Sequence, residues 1–210
     1  VKLQHLPKDI LSFIRTTRKI AKSHNVKIKF LDTRFVTIDD DIICNGYFDE
    51  DVLELVVGTK KPLKKWFPIF VHESCHMDQW IEQCPAWTAD ILNGDIDAGL
   101  LIHLWIKKKI ELNREQLKLY INAVREIEID CEKRTVEKIK KYDLPLDPIV
   151  YTQQSNTYLY WYTMVAKKRS WYKMGKELIY KKNLWSIMPT EFQEDYNKIP
   201  LKIIKAFENQ

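Results

Sequence analysis

The residues best suited to chemistry are His72-Glu73-Ser74-Cys75-His76, an HExxH pattern. On an α-helix, positions i and i+4 lie on one face, so both imidazoles can reach a single metal ion. Zinc favours nitrogen ligands in a tetrahedral site and, when catalytic, keeps one position for water. Glu73, beside the first histidine, is within reach of that water but not of the metal. It can take the water proton and deliver it to a departing amine. The pattern arises by chance in roughly one chain per hundred of this length; the alternative is two surface histidines next to a glutamate. Two of the five histidines of the chain form this pair, among Ile69, Phe70, Val71 and Trp80. Burying two imidazoles in such surroundings makes sense mainly if something coordinates them.

A catalytic zinc needs a third protein ligand. A histidine six residues after His76 is excluded, because Glu82 stands there and Gln79 occupies the position a glycine would need. The segment Arg125-Glu126-Ile127-Glu128-Ile129-Asp130-Cys131-Glu132 offers three glutamates on a predicted helix. Its apolar stripe runs through Leu117, Ile121, Val124, Cys131 and Thr135, and Glu128 falls on that stripe. A carboxylate facing a core costs several kcal/mol unless paired or bound to metal, about 2–7 kcal/mol for a polar group and more for a charge. Glu128 is therefore the expected ligand, and a buried glutamate paired with Lys, Arg or Tyr is the alternative. The small Cys131 and Thr135 would let this helix approach the HExxH helix closely. Glu132, one turn on, is expected to hydrogen-bond a ligating histidine. Glu126 with Asp130 is the competing pair, although it would turn Lys133 and Arg134 to the core. His103, in the apolar run AGLLIHLWI, is read as a core histidine and as the substitute third ligand. Cys75, between the two histidines, is read as packing.

The elements that must position these residues follow from periodicity. Residues 6–24 have apolar Ile10, Phe13, Ile14 and Ile20 at helical spacing with a basic outer face. Val26 to Phe30 alternates as a strand, and Ile42 to Phe48 and Val52 to Val57 read as two more, joined by a turn at Asp49-Glu50-Asp51. Pro68 reads as the start of the HExxH helix and Pro85 as its end. Asn93-Gly94 is a turn signal, and Ala98 to Lys109 a buried helix. Asn113 with Gln116 resembles a capping box opening a long helix to about Tyr142. After Pro145 and Pro148 an aromatic helix runs from about 149 to 168, and the rest is expected to be irregular with a short terminal helix. The expected class is α+β: an N-terminal helix and small antiparallel sheet, a zincin-like helical core, and an aromatic-rich helical C-terminal part. One domain over 1–210 is expected, with its core at about 26–142 and an extension at about 145–210.

HESCH followed by a downstream helix carrying EIDCE resembles the gluzincin branch of zinc metallopeptidases. With the strands ahead of the HExxH helix, residues 40 to 140 resemble the minimal metallopeptidase cores of phages and mobile elements. The resemblance implies Zn²⁺ held by His72, His76 and Glu128, Glu73 as general base, and a protein or peptide substrate. It also implies that the strand just before the zinc helix, here Val52 to Val57, binds the substrate backbone in extended form.

Composition fits this reading without adding to it. At 210 residues, 45% hydrophobic and 30% charged, the chain can bury a sizeable core. Asp9, Arg15 and Arg18 interrupt any signal-peptide pattern. The uncharged run Pro148 to Ala166 carries too many polar residues for a membrane span, so a cytoplasmic location is expected, the host cytoplasm if the chain is viral. Four cysteines without a CxxC pair exclude a cysteine zinc ribbon and read as reduced thiols. Twenty-seven of 34 basic residues are Lys, a bias of AT-rich coding that hints at a virus or an AT-rich bacterium. The net charge of +5 is mild, but Lys167 to Lys182 holds seven basic residues against one acid, Glu177. That run, with Trp171 and Tyr172, would let the protein act at nucleic acid through phosphates and stacking; a solvated basic face is the plainer expectation. Tyr158-Leu159-Tyr160-Trp161-Tyr162 reads as packing, with an oxyanion-stabilising Tyr hydroxyl as the functional alternative. A non-catalytic binding or structural protein that keeps its zinc is the reading from another class.

Overall fold

The computed structural model describes residues 3–38, 42–92, 96–171 and 177–209. The fold is α+β, as expected. The chain divides into two compact units, residues 1–83 with 134–146 and residues 84–133 with 147–210.

In the first unit, α1 (Lys8–Ser23) buries Ile10, Phe13, Ile14, Thr17 and Ala21. Ile20, expected on that face, is 37% exposed. Thr17 takes the buried position because its hydroxyl donates to the Phe13 carbonyl at 3.0 Å and so needs no water. Five strands follow: β1 (Lys27–Leu31), β2 (Val36–Ile38), β3 (Ile42–Cys44), β4 (Gly46–Asp49) and β5 (Glu54–Gly58). β2 and β3 form an antiparallel ribbon. The other three make a sheet in the order β1-β5-β4, with β1 parallel to β5 and β4 antiparallel to it. The sheet is thus mixed rather than purely antiparallel. β5 is shorter than the sequence pattern predicts, since Val52 is 57% exposed and Leu53 sits at φ 53° in the turn. Leu55, Val56 and Val57 are buried, as a central strand requires.

The helix carrying HExxH, α2 (Leu63–Glu82), begins five residues before Pro68. Pro62 is its N-cap, and Pro68 lies inside the helix. The early start is stabilised by Trp66, Phe67 and Phe70, which are buried against Phe13 and Phe30 with ring centroids 5.1–6.1 Å apart. Aromatic burial of this kind, about 1.5–3 kcal/mol per side chain, offsets the backbone bond that Pro68 forfeits. Gln83 ends the helix in the left-handed conformation, its N–H donating to Trp80 O. Pro85 opens the next helix instead of closing this one.

The second unit holds α3 (Pro85–Asp90), the strand pair β6 (Ile91–Leu92) and β7 (Ile96–Asp97), and α4 (Ala98–Ile106). The Asn93-Gly94 turn signal lies outside the described residues. Helix α5 (Arg114–Lys141) opens on the predicted capping box: Asn113 N donates to Gln116 Oε1 at 3.0 Å and Gln116 N to Asn113 Oδ1 at 2.9 Å. It runs unbroken for 28 residues, and its last eight, 134–141, belong to the first unit. α6 (Pro148–Lys168) starts on an Asp147 cap with Pro148 in its first turn. α7 (Lys182–Trp185) and α8 (Leu201–Glu208) complete the unit. Its core joins Ile102, Trp105, Ile121, Val124, Leu159, Val165, Ile203 and Phe207. The irregular segment before α8 is held by Asn156, whose Nδ2 donates to the carbonyls of Pro189 and Glu191 and whose Oδ1 accepts from Tyr196. Among the described residues no helix is long and apolar enough to cross a membrane.

Candidate metal centre

Helix α2 holds its chemistry in place from several sides. Ser74, Cys75 and Met77 are fully buried. The end of α5 pins them: Thr135 Oγ1 donates to Cys75 Sγ at 3.4 Å, and Lys138 Nζ donates to Ser74 O at 3.0 Å and Ser74 Oγ at 2.8 Å. Lys138 also pairs with Asp78 at 2.7 Å. Cys75 is therefore a packing residue, as its place in the sequence suggests, and Thr135 gives the close approach expected of a small side chain.

With the intervening residues fixed, His72 and His76 turn to the same side. Their rings are edge-to-face with centroids 4.7 Å apart, and their Nε2 atoms stand 3.1 Å apart. Two nitrogens each about 2.0–2.1 Å from one tetrahedral zinc would be about 3.3 Å apart, so the pair fits the ion with almost no movement. His76 Nδ1 donates to Gln79 Oε1 at 2.7 Å. With Gln79 Oε1 as its acceptor, Nδ1 carries the ring proton, and the lone pair of Nε2 is turned toward His72 Nε2. Gln79 is fully buried. It escapes the sequence reading because only its mismatch to a glycine position draws notice there. The usable signal is an amide side chain three residues after the second histidine, on the same helix face.

Glu73 is 7% exposed and lies against β4. A Cβ added at Gly46 would stand 3.2 Å from Glu73 Cγ, 2.8 Å from Ile69 Cγ2 and 3.0 Å from Val56 O. The glycine is what allows strand and helix this near. One pleat along, Phe48 packs on Trp80 with centroids 5.6 Å apart. Glu73 is also felt by Cys44: burial first, then the Glu73 charge, pushes that thiol up to about 12. The strand expected to take substrate, Val52 to Val57, is paired on both sides and has no edge to offer. The edges are β1 and β4, each of which among the described residues pairs only with β5, and β4 is the edge beside Glu73.

The remaining site residues lie in the second unit. Glu128 is half-buried on α5, between the buried Val124 and Cys131 of the predicted stripe. Its Oε1 accepts the Tyr158 hydroxyl at 3.2 Å. Glu126 is exposed, which matches a solvent-facing position on the helix. Glu132 is 6% exposed and its Oε2 accepts the Ser155 hydroxyl at 2.8 Å. At His76 the outer ring nitrogen is held by Gln79. His103 is half-buried on α4. Asp130 accepts from Cys84 Sγ at 3.8 Å.

The basic run after α6 is partly committed to structure. Arg169 Nε donates to Trp105 O at 2.8 Å, its guanidinium pairs with Glu111 at 2.9 Å, and it lies 5.0 Å from the Trp105 ring centroid. Trp171 stacks edge-on to Tyr158 and Tyr162. Tyr172, Lys173 and Lys176 lie outside the described residues. Comparison of the chain with protein-family models, with curated proteins and with solved structures gives no match in any of the three.

Proposed function

We propose that the protein is a zinc-dependent metallopeptidase of gluzincin type, cleaving peptide bonds of a protein or peptide substrate. The observation that carries this reading is the convergence of His72 and His76 Nε2, with Nδ1 of His76 anchored on Gln79. His72, His76 and Glu128 would hold Zn²⁺. The support for Glu128 is helical: Thr135, which touches Cys75 of α2, lies seven residues and two turns along the same face of the same unbroken helix.

Zinc supplies an acidified water and a polarised carbonyl when bound. The chain supplies the rest. Glu73, buried beside the histidines, accepts the proton of the attacking water and returns it to the departing amine. The outer edge of β4 would receive an extended peptide through backbone hydrogen bonds, and Phe48 with Trp80 would offer it an aromatic wall. Action at nucleic acid is less favoured, because Arg169 and Trp171 are engaged within the second unit.

The test is cleavage of a diverse peptide library by the zinc-loaded protein and by Glu73→Gln. Loss of turnover with zinc retained is expected. Equal cleavage by both would overturn the role of Glu73; no cleavage by the loaded wild type would leave a zinc-holding binding protein.

A further inference from the structure

Helix α6 presents Tyr158 and Tyr162 four residues apart, hence on one face. Their hydroxyls are 2.9 Å apart. A phenol has one proton to give. Tyr158 gives its proton to Glu128 Oε1 at 3.2 Å, so the proton between the two hydroxyls must come from Tyr162. The result is a directed chain, Tyr162 to Tyr158 to Glu128. Both rings are braced by Trp171, with centroids 5.8 Å and 5.2 Å away. Tyr162 is 5% exposed, so little water competes for the inner bond. Successive donors polarise one another, which strengthens the last bond to the carboxylate. A packing role alone would place three rings here; it would not run two hydroxyls in series to a carboxylate oxygen.

We infer that Tyr158, backed by Tyr162, is the positioning residue of Glu128: it fixes the carboxylate rotamer and, by occupying Oε1, favours ligation of zinc through the other oxygen. This rests on the reading of Glu128 as a metal ligand. Phenol donors are well suited to the task, because they hold a carboxylate by hydrogen bond without adding a charge that would compete with the cation.

The experiment measures zinc affinity of the full chain by competition with a chromophoric chelator, and the melting temperature of each metal-free protein. Wild type, Tyr158→Phe, Tyr162→Phe and Glu128→Gln are compared. Tyr→Phe keeps the ring and removes only the hydroxyl. Tyr158→Phe is expected to weaken zinc binding about tenfold to a hundredfold, with the metal-free melting temperature within about 2 °C of wild type, and Tyr162→Phe by a smaller factor. Wild-type affinity in Tyr158→Phe, while Glu128→Gln loses zinc, would overturn the inference and leave the metal site standing. If Tyr158→Phe does not fold, unchanged affinity in Tyr162→Phe has the same force. Full affinity in Glu128→Gln, or no zinc in wild type, would overturn the ligand reading and this inference with it.

Discussion

His76 Nδ1 donates to Gln79 Oε1 across 2.7 Å, within one turn of the same helix. The bond fixes the tautomer of one imidazole and aims its other nitrogen at the partner nitrogen of His72. Replacing Gln79 by Leu keeps the volume but removes the acceptor. Zinc affinity should then fall about tenfold to a hundredfold, measured by chelator competition, whereas Gln79→Glu keeps an acceptor and should lose less. Equal affinity in all three would show that the amide does not hold the ring.

Gly46 sets the distance between β4 and α2. In Gly46→Ala the new methyl meets the carbonyl of Val56 as well as Ile69 and Glu73, and the carbonyl belongs to a central strand that cannot give way. The expected cost is about 1–3 kcal/mol, read as a lower midpoint in a denaturant titration with an unchanged slope. An unshifted midpoint would mean that strand and helix are not packed this closely.

Cys44 reports on Glu73 without any metal. Its thiol is pushed up to about 12 by burial and by the Glu73 charge, so it is almost wholly protonated at pH 8. Alkylation, which needs the thiolate, should be much slower than for an ordinary cysteine. Removing the negative charge in Glu73→Gln lowers the thiol pKa, so the rate should rise. Mass-spectrometric timing of Cys44 alkylation in the two proteins reads this directly; the same rate in both would place Glu73 away from β4.

What could be read in advance was whatever a single helix or strand decides. The phase of α5 put Glu128 on a buried stripe and Glu126 outside, and the capping box at Asn113 and Gln116 formed as spelled. Pro68 misled, because a proline marks a helix start only when the residues before it have no reason to be helical, and here Trp66 and Phe67 have a core to enter. Sheet order was hidden too. Val52 to Val57 has the composition of any buried strand, and nothing local tells a central strand from an edge; that depends on β1 arriving parallel from far upstream, Lys27 beside Glu54. The bonds from His76 to Gln79 and from Tyr158 to Glu128 went unread because side-chain geometry sets them and no local pattern spells them.

The central claim is that His72, His76 and Glu128 hold one zinc. Elemental analysis of protein purified without added metal tests it most directly, on wild type, His76→Ala, Glu128→Gln and Glu126→Gln. About one zinc per chain in wild type and Glu126→Gln, lost in the other two, is the predicted result. No zinc in wild type after reconstitution, or full occupancy without Glu128, would contradict it.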